Sequence, residues 1–353
     1  MIRTSATKPL ISPRAYPAQV HVFYDGGILA QDGLRMVSLD PPRTRQDSVV
    51  SHGHMDHLSS GAVMTPETLD VLRTRMGGTG TPLAYHTPME VGGFDVEFRP
   101  AGHTFGSAMI RVNDLLYTGD FNPEGGETCG KASPEPVEDL ILDATYGRPG
   151  LNFPPKADVE ADMLSWTEAA LEDGPVAVGG YEFGKGQELI ALFNRLKTEV
   201  VVSDGIADLA DVCRAHGVGL RYRRLSELDA NERKDPRVYV LPSGWVRDPL
   251  PESVAWIRQN HGKLAYASGW AVAFDLVGSR GVDAQFPLSD HADFDGLLEF
   301  TAACSPKRVH TVFSHAKELA TEIDRRLKIR AEPVKRKKHA ERRRRRTGTR
   351  QAR

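Results

Sequence analysis

The sequence predicts a layered α/β fold interrupted by a second, self-contained α/β unit. Three observations carry that expectation. Short apolar runs bounded by Gly, Pro, Asn or Asp dominate residues 20–150. From about residue 156 to Phe286, strands and helices alternate. Clusters of His and Asp lie on both sides of that alternating stretch, so a complete α/β unit separates the parts of one polar site, as an insertion would.

In chain order, VHVFYDGGILA and LRMVSLD flank a turn at Gln31–Gly33, and DSVVSHGH is an apolar strand that ends in histidines. FDVEFRPAGH, SAMIRVNDLLYTGD and EDLILDATYG continue the series, rich in the β-branched and aromatic residues that suit a pleated surface. The polar clusters fall at the C-terminal ends of strands, where loops vary while strands hold them. One early helix is capped by Thr65, with Pro66 in its first turn and Leu69, Leu72 and Met76 on one face. Ala157–Asp173 reads as a helix with Val159, Met163, Trp166 and Ala170 at core spacing and Gly174 closing it. Strand PVAVGGY, helix QELIALFNRL, strand EVVVSD, helix ADLADVCRAHG and strand RVYVLPSG follow, the order of a parallel sheet. The expected organisation is a core in two parts, residues 1–155 and 281–330, around an insertion at 156–280, with a disordered basic tail at 331–353.

Composition bounds the class. The chain has 353 residues, 40% hydrophobic and 26% charged, which suits a globular protein with a sizeable core. No apolar run approaches the roughly 18–20 residues that span a bilayer, and the N-terminus has no apolar signal region. Cys129, Cys213 and Cys304 lack C-x-x-C spacing, which argues against a disulfide framework and a thiolate metal site. A cytoplasmic protein with no membrane partner is expected, and a homodimer is allowed. The net charge of −2 hides an asymmetry. Residues 331–353 carry 11 Lys/Arg and 2 Asp/Glu, a net of +9, and the preceding 330 carry 34 and 45, a net of −11. An acidic body with a basic tail suits an enzyme with an electrostatic tether, and clustered arginines meet phosphates.

His52-Gly53-His54-Met55-Asp56-His57 is the strongest signal. Three imidazoles and a carboxylate within six residues would repel when protonated and lose hydration when buried, unless a cation compensates them. The alternate pair His52/His54 and the adjacent pair Asp56/His57 point toward two neighbouring positions. His103 in PAGHTFGSA, Asp120 in YTGDF and His315 in TVFSHAK raise the set to seven donors. Nitrogen and oxygen donors without sulfur fit zinc ahead of manganese or iron, and seven exceed one tetrahedral shell.

HGHMDH, AGHTFGS and GDF resemble the signature motifs of the metallo-β-lactamase superfamily. That resemblance implies an αββα sandwich holding two Zn²⁺, with His52, His54 and His103 on the first ion, Asp56, His57 and His315 on the second, and Asp120 bridging them. Two such ions clamp the oxygens of an in-line displacement, and Asp56 belongs to the catalytic set with Asp143 and His291. ILDATYG, SDHAD and FSHAKE resemble motifs A, B and C of the β-CASP branch, nucleases of RNA processing and DNA repair that carry an inserted α/β domain. Their acid would be Asp143 and their histidines His291 and His315. GGYEFGKGQELI and ASGWA resemble parts of that insertion, and the resemblance covers nearly all of residues 20–320. Asp143 stands where relatives often have Glu, and Ala316 follows His315 where Gly is frequent. Cleaving a phosphodiester needs a proton for the departing alkoxide, a task that suits His291 with Asp143 orienting its ring.

Gly179-x4-Gly184-Lys185 matches a phosphate-binding P-loop except that Gly186 replaces the Mg²⁺-binding Ser/Thr, which argues against a nucleoside-triphosphate site. Gly184, Lys185 and Gly186 open a helix and are expected to hold a substrate phosphate, with close packing between insertion and core as the alternative. The first functional reading is a zinc-dependent RNA nuclease of the 3′-end-processing or exonuclease type acting on single strands, because a histidine at motif C goes with the RNA-acting branch. The second is a DNA exonuclease of the ligase-associated type. A catalytically silent scaffold is the third, disfavoured because all seven donors are present.

Overall fold

The structure, a computed structural model, describes residues 20–337. The chain starts with β1 (His21–Tyr24), β2 (Ile28–Asp32), β3 (Arg35–Leu39), β4 (Ser48–Val49), β5 (Val63–Met64), α1 (Pro66–Met76) and β6 (Thr81–Pro82). β7 (Met89–Val91), β8 (Phe94–Pro100), β9 (Ala108–Val112), β10 (Leu115–Tyr117) and β11 (Asp139–Asp143) follow. Next come α2 (Lys156–Leu171), β12 (Val176–Gly180), α3 (Lys185–Phe193), β13 (Val200–Val202), α4 (Asp204–Ala215), β14 (Arg223–Arg224) and β15 (Val238–Pro242). After α5 (Trp256–Gln259), β16 (Lys263–Ala267), α6 (Leu276–Arg280) and β17 (Ala284–Phe286), the described chain closes with α7 (Phe294–Cys304), β18 (Arg308–Val312), α8 (Ala316–Leu327) and β19 (Arg330–Pro333).

Three sheets result. β1 to β6 form the first in sequence order, and the second has the order β19-β18-β11-β10-β9-β8-β7. The period-two alternation of the second sheet explains how it fills two cores. Phe94, Val96, Phe98, Ile110, Leu115 and Tyr117 face the first sheet, against Ile28, Ala30, Val37 and Leu39. Met109, Leu116, Leu140 and Leu142 point the other way, onto Phe294, Leu297, Leu319 and Ile323 of α7 and α8. Leu69 and Leu72 of α1 cover the far face of the first sheet. This is the expected αββα sandwich. Met76, expected on the buried face of α1, is 50% exposed, and Val71 is buried instead, in the core of the inserted unit. On α2, Trp166 is only partly buried and Thr167 takes the interior position.

The third sheet, β14-β13-β15-β12-β16-β17, is all parallel and built from residues between Val176 and Phe286. Both of its faces are covered, one by α2, α3 and α4 and the other, which carries Tyr239 and Leu241 of β15, by Val254 and Ile257. Such burial suits the continuous apolar runs VAV and VVV. β17 pairs with β16, so the inserted unit runs past residue 280 to Phe286.

Residues 331–337, expected as the start of a disordered tail, are structured. Ala331–Pro333 extend the second sheet beside β18, and the Tyr24 and Lys337 amides tie the chain beyond it to β1. The physical reason is apolar alternation: Ala331 packs on one core and Val334 on the other. Residues 338–353 lie outside the described residues. Among the described residues no helix is long and apolar enough to cross a membrane.

Thr65 links α1 to the loop at 103–107. Its Oγ1 accepts the Thr68 amide at 3.1 Å and donates to the Gly106 carbonyl at 2.8 Å. Thr65→Ala is therefore expected to cost about 1–2 kcal/mol in denaturant unfolding, a lost cap plus one of the two hydroxyl bonds to the buried Gly106 carbonyl, which keeps the one from Thr68 at 3.0 Å. Thr65→Ser should recover most of it, and an Ala variant as stable as the parent would contradict the linkage.

Candidate metal centre

The centre lies where β4, β8 and β10 end against the inserted unit. His52 is fully buried, His103 is 2% exposed and His57 5%. The AGHTFGS segment turns tightly because Gly102 adopts φ +72°, where a Cβ would sit 2.2 Å from the Asn122 carbonyl oxygen. The Ser107 hydroxyl then accepts the amides of His103 and Thr104, both at 3.1 Å.

The hydrogen-bond partners assign each ring's tautomer. Ser51 gives its one hydroxyl proton to Asp40 Oδ2 at 2.6 Å, so its Oγ must accept from His52 Nδ1 at 2.9 Å. His54 Nε2 donates to the Phe183 carbonyl at 3.2 Å, and His103 Nδ1 to the Asp290 carbonyl at 2.9 Å. Each ring proton is spent outward, and each remaining nitrogen turns a lone pair inward. His54 Nδ1 thus lies 3.0 Å from His52 Nε2 and 3.1 Å from His103 Nε2 with no proton between them. Asp120 Oδ2 stands 3.7 Å from both Nε2 atoms. Donors about 2.0–2.1 Å from zinc sit about 3.3–3.4 Å apart at the corners of a tetrahedron, so this spacing fits a cation at the centre. Burial, reinforced by neighbouring imidazoles, holds His52 and His103 well below the ordinary histidine range. Burial lowers His54 to about 4. All three stay neutral and able to ligate.

A second point lies across Asp120. Its Oδ1 faces His57 Nε2 at 3.7 Å, and Asp56 Oδ2 approaches the same nitrogen at 3.7 Å from an exposed position. The two oxygens of Asp120 therefore face different imidazole sets, the geometry a bridging carboxylate needs. Burial opposes charge on His57, but Asp120 and Asp40 outweigh it and raise its pKa to about 10. Burial raises Asp120 to about 6 against the pull of His57 and His291.

His315 does not join this set. Its amide donates to the Ala144 carbonyl at the start of α8, its Nδ1 lies 3.8 Å from Glu318 and its ring faces Trp270 at 6.4 Å. The acidic residue one turn along α8 competes for the ring. The phosphate-binding expectation for Gly184, Lys185 and Gly186 meets a different geometry as well. Lys185 is 3% exposed and its Nζ donates to Asp290 Oδ1 at 2.6 Å, while the Gly184 and Gly186 amides donate to Gln187 Oε1 and the Tyr181 carbonyl.

Asp143 and His291 meet as expected. His291 Nδ1 lies 2.9 Å from Asp143 Oδ2, and Asp143 Oδ1 accepts the Thr145 amide and hydroxyl. His291 Nε2 faces Asp120 Oδ2 at 3.9 Å. Burial disfavours its charge, but Asp120 and Asp143 prevail and raise it to about 9. A proton is thus held at Nε2, next to the metal donors. The rings open onto a cavity of about 420 Å³ between sandwich and insertion, with Tyr146, Tyr181 and Trp270 among its walls.

Two functional residues were not found from sequence. Asp40 accepts from Ser51, Tyr117 (2.7 Å) and His57 Nδ1 (2.8 Å), and so orients His57. The signal available was an aspartate ending an apolar strand before Pro41-Pro42. Arg75, in the last turn of α1, lines the cavity with a buried Nη1 that has no hydrogen-bond partner. It reads in sequence as an ordinary basic helix end.

An inserted parallel sheet on an αββα sandwich, with a His/Asp cluster that can hold metal, defines the class. No family model matches the chain. A probable DNA ligase of Opitutus terrae is 31% identical over 294 residues, 80% of this chain and 28% of the ligase. The DNA cross-link repair protein SNM1 of Arabidopsis thaliana is 26% identical over 65% of this chain and 50% of its own length. An RNase J-like protein of Methanocaldococcus jannaschii is 21% identical over 58% of this chain and 59% of that protein. The chain thus spans less than two thirds of each. A protein of unknown function from Enterococcus faecalis V583 shares the fold, with a TM-score of 0.59 at 15% identity over 90% of this chain and 97% of that one. The chain belongs to the metallo-β-lactamase superfamily, in its β-CASP branch.

Folding raises the pKa of His57 and His291, so both stabilise the metal-free fold fully below about 6.5, the free-imidazole value. That contribution fades as pH rises through about 9 for His291 and about 10 for His57. In NMR titrations of metal-free protein, Asp40→Asn should bring the His57 pKa down, because it removes one of the three charges that raise it, those of Asp120, Asp40 and Asp56. An unchanged His57 titration would exclude Asp40 as its partner.

Proposed function

We propose that this chain is a two-zinc phosphodiesterase that hydrolyses the backbone of single-stranded nucleic acid, DNA ahead of RNA. The observation that carries it is the set of three inward lone pairs around Asp120, with the protonated face of His291 beside them. His52, His54, His103 and Asp120 Oδ2 would hold the first ion; His57, Asp56 and Asp120 Oδ1 the second. When bound, such a pair lowers the pKa of water and neutralises charge developing on a phosphoryl group.

The remaining tasks fall to the chain's own side chains. His291 donates from Nε2 to the departing alkoxide, and Asp143 holds Nδ1 so that the imidazolium keeps its orientation. The partnerless nitrogen of Arg75 suits a backbone phosphate. The exposed ring of Tyr181, 58% accessible, and that of Trp270 across the cavity offer stacking faces for unpaired bases. The relatives named for DNA ligation and DNA cross-link repair favour DNA. RNA is the second reading, supported by the histidine at position 315 and by the RNase J-like relative.

Elemental analysis is expected to find about two zinc ions per chain, and Asp120→Ala should lose both. Cleavage that persists with one ion or none would sink the two-metal reading. The substrate is tested with matched, end-labelled DNA and RNA single strands: faster DNA cleavage supports the first reading, cleavage of RNA alone the second. Zinc-loaded protein that cuts neither strand would overturn the function.

His291→Ala should slow cleavage by about 10²–10⁴-fold with zinc content unchanged, the usual scale for losing a general acid. A substrate with a better leaving group should regain part of the rate. If it does not, His291 positions the substrate and supplies no proton.

A further inference from the structure

The glycine-rich turn after β12 is left without a phosphate role by the packing of its own groups. The Phe183 carbonyl takes the ring proton of His54, and Lys185, two residues on, holds Asp290 at 2.6 Å. The carbonyl of that same Asp290 takes the ring proton of His103. Two of the three imidazoles in the first metal group are therefore oriented by carbonyls that the inserted unit supplies or pins. The third, His52, is oriented by Ser51 within the sandwich.

Steric fit reinforces the join. Gly184 has φ +81°, and a Cβ there would lie 2.5 Å from Thr104 Cγ2, one residue from His103. A Cβ on Gly53, between His52 and His54, would lie 2.9 Å from Phe183 Cε1 and 2.6 Å from Val71 Cγ1. The two surfaces meet backbone to side chain with no spare volume. A buried lysine without its carboxylate is costly, so the Lys185–Asp290 pair permits one docked arrangement and penalises others.

We propose that the segment Phe183–Lys185 is a latch through which the inserted unit sets the metal affinity of the histidine trio. Docked, it holds His54 and His103 with their lone pairs inward; displaced, it frees both rings to turn. Carbonyl partners of metal-ligating histidines commonly contribute about 10–100-fold in metal affinity. The cavity opens between sandwich and insertion, so anything that shifts the insertion on entering it changes metal affinity, and metal binding changes its affinity equally. This rests on the reading that the trio holds a metal ion and is independent of the substrate.

The test is chelator competition for Zn²⁺ on metal-free full-length protein, with the visible absorption of the Co²⁺-loaded form as a direct report on ligand geometry. Lys185→Met and Asp290→Asn should each weaken the first ion about 10–100-fold and alter the cobalt bands, while cooperative unfolding is retained. Combining them should cost little more than either, because both remove one interaction. Lys185→Arg should keep affinity within a few-fold. If a single variant fails to fold, the double variant, which leaves no unpaired buried charge, carries the measurement. Wild-type affinity and an unchanged cobalt spectrum in the single and double variants would overturn the latch. Wild-type protein that binds no ion would overturn the metal reading itself.

Discussion

Three imidazole lone pairs meeting within 3.0–3.1 Å, beside a buried carboxylate, are the constraint on which the rest of this structure depends. Neutral rings in that arrangement repel through their lone pairs, and protonated rings would repel through their charges. Only a cation makes it favourable. The protein therefore has to supply, from outside the cluster, an acceptor for every outward ring proton and enough rigidity that no ring turns over. Ser51 supported by Asp40, the Phe183 carbonyl and the Asp290 carbonyl meet that requirement. The two-sided second sheet supplies the rigidity by delivering Asp120, Asp143 and the His103 loop from neighbouring strands.

Asp120 divides the electrostatics of the centre. One of its oxygens faces the neutral trio and the other faces His57, whose remaining neighbours are Asp40 and Asp56. Negative charge is thus concentrated on one side and neutral donors on the other. On the Oδ2 side His291 is protonated while the nearby His103 is not, although their rings are only 4.5 Å apart. Asp120 and Asp143 raise one, while burial and the neighbouring imidazoles keep the other neutral against the pull of its backbone carbonyl partner. A cluster of alike residues thereby separates into three neutral rings and one protonated ring.

The inserted unit is more than an added lid. Its parallel sheet has its own covered faces, yet Val71 and Phe105 of the sandwich belong to its core and Lys185 reaches back to Asp290. Glu188 on α3 likewise accepts the amides of Glu127 and Thr128 across the join. The aromatic cavity, the metal donors and the interface are consequently one construction, and substrate access through it has to involve that interface.

The His/Asp cluster that could hold metal was legible in sequence because such chemistry demands particular side chains, and HGHMDH packs three of the imidazoles and one carboxylate into six residues. Strand alternation and helix caps likewise predicted a layered α/β core and the inserted unit, since burial on one face imposes a period, while the sandwich itself came from the family resemblance. The acceptors that orient His54 and His103 were not legible, because a backbone carbonyl belongs to every residue and carries no signature. Nor was the fate of Lys185: in sequence it is a cation at a helix start, and only folding brings Asp290, 105 residues away, within 2.6 Å. His315 shows the converse, a residue of the right type whose ring in the folded chain faces Glu318 and Trp270. Sequence by itself determined which groups were available for chemistry. Tertiary structure decided which way each one faces and which are spent on one another, because orientation depends on contacts between segments far apart in the chain.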